Sequence, residues 1–272
     1  MVDRLPLAYR DLLERAAQVL AADERVRGMW LGGSLARDTA DAASDLDVFV
    51  AVADEHIEEF AEGWRELLAA ITPTVLAEEQ WFAKGSFWSI TPGYERFDVV
   101  VEPVSKLPES LFPVRTVVFD HDGLTARLPE ERPRTPVPAT VGKLVEAWFH
   151  FSAMPEVILV REDWLLAAEH LHLLRDFLYQ LYVEANQPLP PMGLKRWTEK
   201  LTPEQAGVLR TVPTSAEDPD ALVAAHLQLA RAFLGTARPL AASLGVDWPD
   251  ELEAAARAHL REVFGVDDPY PG

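Results

Sequence analysis

Between residues 7 and 22 the side chains Leu12, Leu13, Ala16, Val19 and Leu20 return every three or four positions, a spacing that predicts an amphipathic helix. The period then contracts. GMWLGG reads as a short buried strand ending at a glycine turn, and DLDVFVAV reads as a second strand beyond a polar loop. Ile57, Phe60, Trp64, Leu67 and Leu68 line one stripe of a helix over about 54–71. Four later apolar runs, TVLAEEQWF, SFWSITP, RFDVVVEP and TVVFD, predict four more strands. The first half is therefore expected to be α+β, a small mixed sheet with helices on one side.

The pattern changes at RLPEERPRTPVPAT, residues 127–140, where four prolines favour an extended connector over a packed element. Beyond it the strand signal stops and helical periodicity takes over, at roughly 141–160, 163–186, 219–244 and 249–264. We expect a catalytic domain over 1–127, a Pro-rich connector over 128–140 and an all-α helical bundle over 141–272.

Composition narrows the function. Forty-four acidic residues against 25 Lys and Arg give a net charge of −19, which opposes a grip on nucleic acid; such acidity commonly serves solubility, and it would also attract a cationic small molecule. There is no Cys, so thiolate metal sites and disulfides are out. The acid-bearing N-terminus does not read as a signal peptide, and the sequence has no apolar run long enough to span a membrane. A cytoplasmic protein with no membrane partner is the expectation.

Candidate chemistry sits in WLGGSLARDTADAASDLDVFVAV, residues 30–52. Asp45 and Asp47, two apart at the start of a strand, place both carboxylates on one face while Leu46 and Val48 face the other way. Carboxylates that close repel each other unless a cation sits between them, and a hard divalent ion such as Mg²⁺ takes oxygen ligands from such a pair. Gly32 and Gly33 allow close backbone approach, and Ser34 offers a hydroxyl and an N–H for phosphate oxygens. Asp98, flanked by apolar residues in RFDVVVE, is a third acid that joins the pair if its strand lies alongside.

Gly33-Ser34, ten residues, Asp45-Leu46-Asp47-Val48, and a distant Phe97-Asp98-Val99 together resemble the nucleotidyltransferases of the DNA polymerase β superfamily. The loop GSLARDTADAASDLD is similar to that of the small bacterial members that adenylylate aminoglycosides and lincosamides. The resemblance implies that Asp45, Asp47 and Asp98 hold Mg²⁺, as two ions, with Asp98 completing the metal site or serving as general base. It also implies that Gly33, Ser34, Arg37, Ser44 and Lys195 contact the nucleotide, with ATP as donor and a small-molecule hydroxyl, possibly cationic in an aminoglycoside, as acceptor. Where many relatives have Gly, this chain has Asp38, a further negative charge near the expected triphosphate. The same resemblance leaves room for a protein-modifying or biosynthetic transferase, or a non-catalytic nucleotide-binding module.

Weaker signals have plainer readings. TVVFDHDGL, residues 116–124, has the look of a phosphatase nucleophile loop but lacks its threonine after the glycine, so a strand ending in a turn is expected. His170 and His172, two apart on a helix, cannot share a metal and are expected on the surface or between domains. Trp81, Phe82, Phe87 and Trp88 are expected mostly in the core, with one or two free to line an acceptor pocket. Glu146 is an alternative base.

Overall fold

A computed structural model describes residues 6–80, 84–189, 193 and 195–270. The chain forms two compact units, Met1–Arg132 and Pro133–Gly272.

In the first unit the order is α1 (Leu7–Ala21), β1 (Val26–Leu31), α2 (Gly33–Ala36), β2 (Leu46–Val52), α3 (Ile57–Glu62), α4 (Trp64–Ile71), β3 (Leu76–Glu79), β4 (Ser86–Ile90), β5 (Arg96–Pro103) and β6 (Thr116–Asp120). The strands form one sheet ordered β3-β4-β5-β2-β1-β6, in which β2 and β5 are parallel and every other pair is antiparallel. The fold class read from the sequence thus holds. The helix expected over 54–71 is divided at Gly63, which ends α3 and precedes α4.

Alternation along β2 sorts its residues between two layers. Leu46, Val48, Val50 and Val52 pack against Leu12, Leu13, Ala16 and Leu20 of α1 and Phe60, Trp64, Leu68 and Ile71 of α3 and α4. Phe49 and Ala51 face the other way, toward Trp30, Leu107 and Leu124. Asp47 belongs to this second face. The DHDG segment is structural. Asp120 accepts hydrogen bonds from the Leu124 and Thr125 amides and the Thr125 hydroxyl, at 2.8, 2.9 and 2.7 Å, and Asp122 is paired with Arg27.

The second unit is all helical: α5 (Pro138–Phe151), α6 (Met154–Arg161), α7 (Trp164–Ala185), α8 (Pro203–Thr211), α9 (Pro219–Leu244) and α10 (Asp250–Phe264). The single helix expected over 141–160 is two, because Pro155 lacks the amide a helix interior needs and sits instead in the first turn of α6. Short α8 escaped the periodicity reading. Its start is fixed by a capping box between Thr202 and Gln205. The core is stacked around Trp148 and Phe233, with ring centroids 4.2 Å apart. Among the described residues no helix is long and apolar enough to cross a membrane.

His170 is not on the surface. It is 2% exposed, and its Nε2 lies 3.3 Å from Nδ1 of the fully buried His226, near Trp148 and Phe264. The outer nitrogens, His170 Nδ1 and His226 Nε2, have no hydrogen-bond partner among the described residues. Burial pushes the His170 imidazole down to about 4, and burial together with the neighbouring His170 pushes His226 down to about 3. His172 is exposed, as expected.

An imidazole whose folded pKa lies below its unfolded value keeps its full contribution to stability above the unfolded pKa and loses it as pH falls toward the folded one. Lowering the pH from 7.5 to 5 is therefore expected to cost about 2 kcal/mol for each buried ring. Thermal unfolding of the wild type and of a His170→Leu, His226→Leu double variant at the two pH values checks this: the wild type loses much more stability than the variant, and equal losses would contradict the reading.

Candidate functional site

The site begins where β1 ends. The Gly32 amide donates to the Asp47 carbonyl at 2.9 Å, and a Cβ at Gly32 would meet the Phe49 ring at 2.1 Å. Gly33 has φ +53°, and a Cβ there would fall 1.9 Å from Asp47 Oδ2. The glycine pair is therefore a packing requirement. The backbone at 33 lies directly against the Asp47 carboxylate, so a larger residue would be strained by the positive φ and would have to push that carboxylate aside. The next residue, Ser34, has a buried Oγ with no hydrogen-bond partner among the described residues. A buried hydroxyl without a partner is uncommon and calls for an explanation.

The loop from Arg37 to Asp45 is held by its own turns. Asp38 adopts the left-handed conformation, φ 55°, the one in which Gly is commonest and which Asp tolerates better than most residues. That accounts for the Asp in a position where the resemblance leads one to expect Gly. The Thr39 amide donates to the Ser34 carbonyl at 3.0 Å, and the Ser44 hydroxyl closes a turn with Asp41 by accepting from its amide at 3.0 Å. Ser44 is thus engaged in shaping the loop that delivers Asp45.

Parallel pairing then assembles the acids. In the β2–β5 register Asp47 is the partner of Asp98, and Leu46 and Val48 are the partners of Phe97 and Val99. Asp45, Asp47 and Asp98 each present a carboxylate oxygen within 4.8 Å of the others, all partly buried. Among the described residues no other His, Asp and Glu side chains come together in this way. Three oxygen donors with this spacing fit a hard divalent cation.

Sequence reasoning missed the residue that frames this cluster. Arg96, at the start of β5, donates from Nη2 to the Ala43 carbonyl at 2.8 Å and places Nη1 3.4 Å from Asp45 Oδ2. Its own amide donates to the Tyr9 hydroxyl of α1 at 3.1 Å. The only sequence signal was a charge two residues before Asp98, on the same face of the strand.

Of the expected cations, Arg37 is paired within the first unit and Lys195 belongs to the second. Arg37 makes a two-toothed ion pair with Glu131, at 2.6 and 3.2 Å. Lys195 is exposed and belongs to the second unit, as does exposed Glu146 on α5. Phe87 is core, at 5% exposure, whereas Trp88 is 37% exposed; Trp81 and Phe82 lie outside the described residues.

The two backbone positions respond differently to substitution. Gly33→Ala combines a positive φ with a clash on Asp47 and is expected to cost several kcal/mol or to displace the carboxylate, whereas Asp38→Gly changes stability by less than about 1 kcal/mol. Chemical denaturation of both variants checks this, and a Gly33→Ala protein as stable as the wild type would contradict the packing described.

Residues 13–82 match the nucleotidyltransferase domain family. The matched segment holds Gly33, Ser34, Asp45 and Asp47, and the sheet adds Asp98 from beyond it. No curated protein matches the chain. Among solved structures it is similar to an aminoglycoside 6-adenyltransferase from Bacillus subtilis, with 14% identity, 94% of this chain and 97% of that chain covered, and a TM-score of 0.44. It is also similar to an E. coli MS115-1 CdnC:HORMA-deltaN complex, with 15% identity, 99% and 94% covered, and a TM-score of 0.30. At these scores neither likeness carries weight. The match spans residues 13–82 and contributes two of the three acids, Asp45 and Asp47, which supports a nucleotidyltransferase enzyme.

Proposed function

We propose that this enzyme transfers an adenylyl group from ATP to a hydroxyl of a small, amine-bearing molecule of the aminoglycoside type, releasing pyrophosphate. The observation that carries the reading is the meeting of Asp45, Asp47 and Asp98 within 4.8 Å, beside a glycine turn that leaves the Ser34 hydroxyl buried and unsatisfied. Asp45, Asp47 and Asp98 would hold two Mg²⁺ ions, which neutralise the charge on the reacting phosphoryl group.

The chain's own residues do the rest. Ser34 donates its hydroxyl to the β- and γ-phosphate oxygens, where the close approach permitted by Gly33 brings the backbone near as well. Arg37 adds positive charge by exchanging its Glu131 partner for the triphosphate, a more highly charged anion at the same guanidinium fork. Asp98 accepts the proton of the attacking hydroxyl as the new oxygen–phosphorus bond forms and the bond to pyrophosphate breaks. Catalysis on this scheme is positioning and charge neutralisation. The net charge of −19 favours a cationic acceptor, and a cytoplasmic setting supplies the ATP.

Pyrophosphate release with ATP, Mg²⁺ and streptomycin, kanamycin or lincomycin as acceptor tests the proposal. Turnover with at least one of these is expected, and Asp47→Asn should lower it at least a thousandfold while the circular dichroism spectrum stays that of the wild type. An undiminished rate in Asp47→Asn would refute the assignment.

A further inference from the structure

The sheet register extends the site past its three acids. Asp47 on β2 is the partner of Asp98 on β5, Asp98 is the partner of Trp88 on β4, and Trp88 is the partner of Glu78 on β3. Residues directly opposite one another across paired strands project from the same face. The burial pattern agrees: Phe97 and Val99 on either side of Asp98 are buried, and so are Phe87 and Ser89 on either side of Trp88. One row of side chains therefore crosses the sheet, beginning at the Gly33-Ser34 turn after β1 and continuing through Asp47, Asp98, Trp88 and Glu78. Adjacent strands are about 4.8 Å apart, so the indole stands next to Asp98, on the side away from Ser34.

In-line displacement gives this order a meaning. The attacking and leaving oxygens lie on opposite sides of the phosphorus, while the ribose 5′-oxygen stays bonded to it and points in a third direction. With pyrophosphate at the Ser34 end and the proton-accepting carboxylate at Asp98, the attacking hydroxyl enters from the Trp88 end. The body of the acceptor then lies over an indole that is 37% exposed beside carboxylates, while its neighbour Phe87 is only 5% exposed. An indole face suits a sugar ring and attracts an ammonium group, and Glu78, whose exposed carboxylate is 3.8 Å from Arg65, extends the acidic row.

Resting on the transfer reaction above, we infer that Trp88 is the platform for the acceptor and selects a polyhydroxylated ring compound that carries amines. The nucleotide base is not its ligand.

Steady-state kinetics of Trp88→Ala and Trp88→Phe, with whichever of streptomycin, kanamycin and lincomycin the wild type turns over, test this. Trp88→Ala is expected to raise the KM for the acceptor at least tenfold and leave the KM for ATP within twofold, and Trp88→Phe to recover most of the loss. Calorimetric titration of the same acceptor into protein holding Mg²⁺ and an ATP analogue with a carbon bridge between its α- and β-phosphorus atoms should show the same tenfold weakening. A rise in the KM for ATP in place of that for the acceptor, or no change in either, would overturn the inference and leave the transferase reading intact. A wild type that releases no pyrophosphate with any of the three compounds would overturn the transferase reading itself.

Discussion

The in-register parallel pairing of β2 with β5 is the constraint on which the site depends. It puts Asp98 beside Asp47 although the two are far apart in sequence, and it does so because Leu46, Val48 and Val50 must face the helices together with Phe97, Val99 and Val101. A slip of one residue would turn Asp98 into the apolar layer and Val99 onto the site face. The hydrophobic core therefore enforces a register that electrostatics alone would oppose, since three carboxylates this close repel one another. Folding energy from the buried face holds the acids ready for a cation.

The glycine turn applies the same logic from the other side. Gly32 and Gly33 bring the end of β1 so close to Phe49 and Asp47 that a side chain there would have to displace them, which sets where Ser34 follows in the chain. Arg96 and Tyr9 complete the frame, joining β5, the motif loop and α1 around Asp45. Rigid supports of this kind suit a reaction in which the protein contributes position and charge more than covalent chemistry.

Much of this could be read from local sequence. The six strands announced themselves as short apolar runs, and the Asp45–Asp47 spacing on a strand placed both acids on one face. What local patterns could not supply were pairings set by tertiary contact. Arg37 looked like a cation free for phosphate, yet Glu131, 94 residues away, engages it. His170 was expected on the surface or between domains from its two-residue spacing to His172, and only the packing of α7 on α9 brings it to His226. Four aromatics were expected mostly in the core with one or two free to line a pocket, and only the pleat shows that Trp88 is the one turned to the side of Asp98 while Phe87 is buried. The division of the helix after Ser152 had a local signal, Pro155, that periodicity alone overlooks.

Whether the three acids work as one cation site is the point on which the account rests. Binding of Mn²⁺, followed by electron paramagnetic resonance in the presence of the carbon-bridged ATP analogue, measures it directly in the wild type and in Asp45→Asn, Asp47→Asn and Asp98→Asn. Each substitution should reduce the Mn²⁺ bound at a given free concentration, Asp98→Asn included. An Asp98→Asn protein that binds as much Mn²⁺, and as tightly, as the wild type would contradict the account.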